Sequence, residues 1–287
     1  MCLILVAHRA DPRYRLVVAA NRDEFFRRPT AAADYWSDAP HVLGGRDLEQ
    51  GGTWLGVATD GRWAAVTNFR DGTSPEPGTR SRGGLVAGYL SGCTGAQDYV
   101  VSMEPGAHEY HGFNLLAGDA GGVHYLSNKE DGSMMLAPGV YGLSNHLLDS
   151  SWPKVERGKL ALREAIAGAA TPDTLIETLL AALADRNIAE ERTLPSTGIG
   201  KDWEKLLSAA FIGAPGYGTR ASTVLLMDHD GKVHFRERSF GEHGELIDDR
   251  RFRFALAQDP SRLRSPTHTV KESRKTPSPQ RTQRTRR

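Results

Sequence analysis

The sequence predicts an α+β fold in which stacked, largely antiparallel sheets are covered by helices. Strand-like runs come first, helical periodicity is confined to the middle, and strand-like runs return near the end. That order differs from the strict strand–helix alternation that builds a doubly wound parallel sheet. Several of the strand-like runs are apolar at consecutive positions, as in strands covered on both faces. Asp/Gly turns between paired runs mark hairpins rather than crossovers.

The first run, CLILVA (2–7), is joined through DPR (11–13), a turn signal, to YRLVVAA (14–20). WLGVAT (54–59) and WAAVTN (63–68) flank Asp60-Gly61, a strong hairpin dipeptide. FNLLAG (113–118) and GVHYLS (122–127) flank another Asp/Gly turn. STVLLMD (222–228) and KVHFRERSF (232–240) flank HDG, and RFRFALA (251–257) is placed to close a sheet. Between these groups, residues 82–90 and 96–104 are short helical candidates. Residues 152–169 carry apolar side chains at 155, 160, 162 and 166, with Pro153 in the first turn. Residues 171–185 read as Thr171 N-cap, Pro172 at the first helical position, then Leu175, Ile176, Leu179, Leu180 and Leu183 on one face. Residues 202–210 predict a further helix.

Composition narrows the function classes. No apolar run approaches the ~18 residues of a membrane span, and residues 2–7 are too short for a signal-peptide core. The expected location is cytoplasmic. Two cysteines, Cys2 and Cys93, make no disulfide framework and no Cys-rich zinc site. The histidines form no HExxH pair, so no metal is called for. TGIGKD (197–202) fails as a phosphate loop, since Pro195 occupies the first glycine position and Asp202 the hydroxyl position. Residues 258–287 hold nine Lys/Arg against two Asp/Glu and almost no large apolar side chain. They are expected to be a disordered basic tail following a folded domain over 1–257. The tail is either a solvated extension without a role or a tether to RNA or a lipid surface. The remaining chain is mildly acidic, which speaks against a nucleic-acid-binding body.

Polar clusters fall at the ends of the predicted strands: Cys2, NRDEFFRRP (21–29), TNFRD (67–71), YGLSN (141–145) and Arg220 ahead of the late strand. A hairpin of the first two strands returns Asn21, Arg22 and Asp23 to the neighbourhood of Cys2. Taken one by one, each residue has an ordinary structural role open to it. Cys2 suits a small core position, the asparagines suit turns, and Arg220 suits an ion pair. Taken together they assemble an acyl-transfer site. Removal of Met1 would give Cys2 a free α-amine to serve as base for its own thiol. Asp23 would orient the amine, Arg22 or Arg220 would favour the thiolate, and Asn68 and Asn145 would donate to an oxyanion.

AANRDEFFRRPT, GGTWLGV (51–57), TNFRD, YGLSN followed by WPK, and GYGTRASTVLL together resemble the NRDE family, the transport and Golgi organisation type proteins, over about 1–257. The resemblance implies a four-layer αββα sandwich, like that of N-terminal-nucleophile (Ntn) hydrolases such as bile-salt hydrolases and penicillin V acylases. It implies Cys2 as nucleophile, Asp23 as the acid, Asn145 and Asn68 as oxyanion asparagines and Arg220 as the late arginine. Asn21, Arg22, Glu24 and Phe25 would contact substrate. Ala20 stands where those hydrolases carry an arginine three residues before the acid, so Arg22 would act from a different position. The implied reaction is hydrolysis of a linear amide or acyl substrate, with no cofactor required. The resemblance also implies an alternative: a carrier or chaperone for a small hydrophobic ligand, haem or an acyl lipid, linked to secretory-pathway organisation. Phe25, Phe26, Tyr35 and Trp36 would then lie near the pocket.

Overall fold

The computed structural model describes residues 2–72 and 80–257, together with the backbone of 272–273. Two antiparallel sheets stack face to face, with helices on both outer faces. The first sheet uses β1 (Cys2–His8), β2 (Tyr14–Phe25), β10 (Gly139–Leu143), β11 (Gly213–Ala214), β12 (Tyr217–Asp228), β13 (Lys232–Phe240), β14 (Leu246–Ala255) and β15 (Glu272–Ser273). Its order is β10-β1-β2-β12-β13-β14-β15, with β11 added to β12. The second sheet is a meander of β3 (Thr30–Tyr35), β4 (Val42–Asp47), β5 (Leu55–Ala58), β6 (Trp63–Asn68), β7 (Phe113–Gly118), β8 (Val123–Ser127) and β9 (Ser133–Met135).

Alternation along the strands makes the layers. On β1 and β2, Ile4, Val6, Leu16, Val18 and Ala20 point between the sheets, where they meet Leu43, Leu55, Val57 and Leu116 of the second sheet. Leu3, Leu5, Val17 and Ala19 point the other way, under α3 (Pro153–Gly168) and α4 (Pro172–Leu183). On the far side, α1 (Gly83–Ser91) and α2 (Ala96–Met103) cover the second sheet through Val86, Tyr89, Leu90 and Val100. The result is the αββα stack that the resemblance implies. Each large side chain buried in these layers stabilises the fold by roughly 1.5–3 kcal/mol. Among the described residues no helix is long and apolar enough to cross a membrane.

The expected hairpins form, as do helices α1 to α4. Thr171 caps α4, its hydroxyl accepting the N–H of Thr174 at 3.2 Å. The helix expected at 202–210 is only α5 (Lys201–Leu206). Beyond it the chain turns so that Phe211 donates its N–H to Asp185 at 2.7 Å, which a continuing helix would forbid. β3 and β4 lie where no strand is read from the sequence, because TAAADY and VLGGRD lack β-branched alternation. β4 needs its glycines for clearance: a Cβ at Gly44 would stand 2.8 Å from the Leu55 carbonyl, and one at Gly45 would collide with the Trp54 ring.

Two placements differ from expectation in a way that bears on function. β2 does not end before Asn21; it continues through Asn21, Arg22 and Asp23 to Phe25, because β12 goes on pairing with it there. Arg220 lies inside β12, at a bulge between Thr219 and Ala221, and not ahead of the strand. The expected disordered tail, 258–287, lies outside the described residues except for the backbone of 272–273, which pairs with β14. Met1 also lies outside them.

Candidate active site

Cys2 stands at the start of β1, directly opposite Arg22 of β2. The β1–β2 hairpin therefore does return the Asn-Arg-Asp-Glu run to Cys2. Cys2 borders a cleft of about 390 Å³ between the sheet edges, together with Arg22, Asp23, Glu24, Asn68 and Arg82. Trp54, Arg28, Arg80 and His111 complete much of its wall. Ser144 fixes the approach by donating its hydroxyl to the Cys2 carbonyl at 3.0 Å. Burial pushes the Cys2 thiol up from its ordinary pKa, while the nearby Asp23 backbone N–H and the Arg22 cation oppose the rise.

The strand period of two divides the Asn-Arg-Asp-Glu run between two layers. Arg22 faces the second sheet: its guanidinium donates to Thr30 Oγ1 at 3.0 Å and lies 4.3 Å over the Trp54 ring. Glu24 lines the cleft and approaches Arg28 at 4.0 Å. Asn21 and Asp23 face the helices. The Asn21 amide donates to the carbonyls of Leu183 and Ala210, both at 2.8 Å, and its oxygen accepts the Ser222 hydroxyl at 2.6 Å. Asn21 thus ties the sheet to the end of α4, which corrects its expected place against substrate.

Asp23 accepts the hydroxyl of Thr219 at 2.7 Å, its partner across β12. Burial raises its carboxyl above the usual range, and Lys154, the Thr219 hydroxyl and Arg70 pull it back down. Sequence reasoning passed over these cations. Lys154, in the first turn of α3, is 2% exposed, and its Nζ has no hydrogen-bond partner among the described residues. Burial pushes its pKa down to about 8 against the pull of Asp23. Arg70 is buried with Glu204 at 2.6 Å and stacks over Trp152 at 4.7 Å. Behind Cys2 therefore lies a sealed group of two acids and two bases, Asp23, Glu204, Lys154 and Arg70. The signal for Lys154 was present in the WPK triplet, and that for Arg70 in TNFRD.

Asn68 ends β6 in the cleft, and its carboxamide makes no hydrogen bond among the described residues, leaving its N–H groups for a ligand oxygen. Asn145 does not line the cleft. It is wholly buried, and its amide donates to the main-chain carbonyl of Asn68 at 2.9 Å while its own carbonyl accepts Arg70 N–H at 2.7 Å. The expectation that Asn145 faces an oxyanion is corrected: it holds Asn68 in place. Arg220 is likewise outside the cleft. Its guanidinium donates to the carbonyls of Phe25 at 2.9 Å and Arg28 at 3.0 Å, bracing the turn after β2, because the bulge aims it there. Phe25 is also away from the cleft, 44% exposed and edge-on to Tyr217 at 5.0 Å. Nor do the other expected aromatics line it. Tyr35 packs on Phe252, Trp36 donates to the Gly44 carbonyl, and Phe26 lies under Arg220. Trp54 supplies the aromatic wall instead. Among the described residues no group of three or more His, Cys, Asp or Glu is placed to hold a metal ion.

A family model described as Transport and Golgi organisation 2 matches residues 1–242. The chain is 38% identical to the Transport and Golgi organization protein 2 homolog of Bos taurus, covering 93% of this chain and 98% of that protein. It is 40% identical to the Homo sapiens homolog, covering 83% and 93%, and 32% identical to the Drosophila melanogaster protein, covering 85% and 95%. Among solved structures, a variant of the conjugated bile acid hydrolase from Clostridium perfringens aligns with a TM-score of 0.43 at 12% identity, over 96% of this chain and 98% of that one.

Proposed function

Because the chain belongs to the Transport and Golgi organisation 2 family, we propose a specific chemistry for that family's cleft: a cytoplasmic Ntn-type cysteine hydrolase of a linear amide or acyl substrate, with Cys2 as nucleophile once Met1 is removed. The observation that carries this reading is Cys2 at the cleft, paired across the β1–β2 ladder with Arg22, with the Asn68 carboxamide, which makes no hydrogen bond among the described residues, on the same wall. The freed α-amine of Cys2 takes the thiol proton, with the Asp23 carboxyl holding it. The Sγ–C bond forms at the substrate carbonyl, whose oxygen gathers charge against Asn68. The C–N bond then breaks, the amine leaves with the proton, and water cleaves the thioester to return the thiol.

Intact-mass and peptide analysis after exposure to an electrophilic acyl probe, such as a β-lactone, tests this. The expected result is an acyl adduct on a Cys2 that is the first residue of the mature chain. Retained Met1, or a silent Cys2, would sink it. A second reading keeps the same cleft, with its Trp54 wall, and asks no reaction of the Cys2 thiol. In that reading the cleft carries haem or an acyl lipid without turnover, in the transport process for which the relatives are named. Saturable haem absorbance changes that survive Cys2→Ala, without any acyl adduct in the parent protein, would decide for the carrier.

A further inference from the structure

We propose that the ligand of the Cys2 cleft carries an oxyanionic group, a carboxylate, sulfonate or phosphate, seated on Arg22 and Arg82 beside the carbonyl presented to the thiol. The inference deepens the reading of Cys2 as the reactive residue and rests on it.

Four arginines border the cleft: Arg22, Arg28, Arg80 and Arg82. Two are already neutralised. Arg28 meets Asp47 at 2.6 Å, Glu49 at 3.3 Å and Glu24 at 4.0 Å, and Arg80 meets Glu109 at 3.1 Å. The other two have no carboxylate partner among the described residues. Arg22, 6% exposed, donates to the Thr30 hydroxyl and rests on Trp54. Arg82 donates to the Gly112 carbonyl at 3.2 Å. Burial lowers the Arg82 pKa, with Cys2 and Glu24 pulling it back.

A guanidinium has five N–H donors, so both residues keep donors for a ligand. Arg22 is buried and Arg82 half-buried, and neither is in an ion pair among the described residues, so an anionic ligand on this wall would meet two cations with donors to spare. The planar fork of arginine matches the two oxygens of an oxyanion better than it matches any neutral group. Glu24 does not fill this role, since its carboxylate accepts the Phe25 N–H at 2.8 Å and leans on Arg28.

Position follows from register. Cys2 and Arg22 are direct partners in an antiparallel ladder, so their Cα atoms lie about 4.5–5.5 Å apart. The anion therefore sits next to the reacting carbonyl, not at a remote end of the substrate. The opposing Trp54 is held by the close approach of β4 at Gly45, which keeps the Arg22 plane in place.

The test compares two alkylating reagents that differ in charge. Iodoacetate and iodoacetamide each form an Sγ–C bond and release iodide. Cys93, exposed, is the internal reference. The iodoacetate-to-iodoacetamide rate ratio at Cys2 is expected to exceed that at Cys93 by about tenfold or more, the effect of one charge-assisted hydrogen bond. The iodoacetate rate should saturate, and sulfate should suppress it. Arg82→Gln and Arg22→Gln should each bring the ratio down toward that of Cys93; the ratio cancels the slower alkylation of a thiol that has lost the Arg22 cation, and a retained cooperative urea transition reports an intact fold. Equal ratios at the two cysteines in the parent protein overturn the proposal. If Cys2 reacts with neither reagent, sulfate is titrated against tryptophan fluorescence with Trp54→Phe as the blank; absence of a saturable Trp54 signal overturns it equally. An anion preference at Cys2 without any acyl adduct would leave this inference standing and remove the hydrolase reading, and an acyl adduct with equal ratios would do the reverse.

Discussion

Asn145 donates its side-chain amide to the main-chain carbonyl of Asn68 at 2.9 Å, so one asparagine at the site positions the other. The two should fail differently. Asn68→Ala should leave stability within about 0.5 kcal/mol and lower acylation of Cys2 by about 10²–10³-fold. Asn145→Ala removes a wholly buried donor and should cost about 1–3 kcal/mol, with acylation lost as a consequence. Urea unfolding and probe-labelling rates, measured on both variants, separate a ligand-facing role from a positioning role.

Arg70 and Glu204 form an ion pair with both side chains about 5% exposed or less. Glu204 also accepts the Thr197 N–H at 2.7 Å and its hydroxyl at 2.6 Å. Removing one partner strands the other, so Arg70→Met should destabilise by about 3–5 kcal/mol. The paired replacement Arg70→Met with Glu204→Leu should recover most of that loss. Chemical denaturation of the single and double variants checks the coupling.

Glu237 is buried between the sheets, where it accepts the Ala33 N–H at 2.7 Å and the Thr223 hydroxyl at 3.1 Å. Burial raises its pKa to about 7 from an ordinary 4.5. A carboxyl raised in the folded state binds its proton more tightly there than in the unfolded chain. Its contribution is therefore full below pH ~4.5 and is lost as pH climbs through about 7, an amount on the order of 3 kcal/mol. Glu237→Gln can keep both hydrogen bonds without ionising. The gap in unfolding free energy between the two proteins should widen in favour of the variant from pH 5 to pH 8. A constant gap would contradict the assignment.

Lys154 carries the opposite sign. Its pKa is depressed to about 8 by burial, so between about 8 and 10.5 the unfolded chain binds more protons than the folded one. Stability conferred at this residue therefore rises with pH across that window. Lys154→Met should lack the rise. The difference in thermal unfolding midpoint between parent and variant should consequently shift with pH from 8 to 10, in favour of the parent.

Much of this fold was legible because its signals are local. The hairpin of β1 and β2 needs only two apolar runs and a turn, and α4 announces itself through Thr171, Pro172 and five apolar residues at helical spacing. That hairpin alone brings Cys2 to Arg22. The orientation of individual side chains was not legible, because it depends on partners far away in sequence. Asn21 is claimed by carbonyls at Leu183 and Ala210. Arg220 is turned aside by a bulge that leaves no mark in GYGTRAST. Trp54 and Arg82 reach the cleft only because Gly52, at φ +80°, lets its loop press on Gly83 at the head of α1. A Cβ at Gly52 would sit 2.5 Å from the Gly83 carbonyl.

β2 sends the side chains of its four polar letters two ways by parity: Arg22 and Glu24 toward the second sheet and the cleft, Asn21 and Asp23 toward the helices, with Asp23 also reaching the cleft wall. Lengthening or shortening the 11–13 turn leaves that assignment alone, whereas a single residue gained or lost within β2 exchanges the two pairs at a stroke. The run should therefore accept certain substitutions yet reject every insertion or deletion, a pattern that a library of one-codon indels would expose directly.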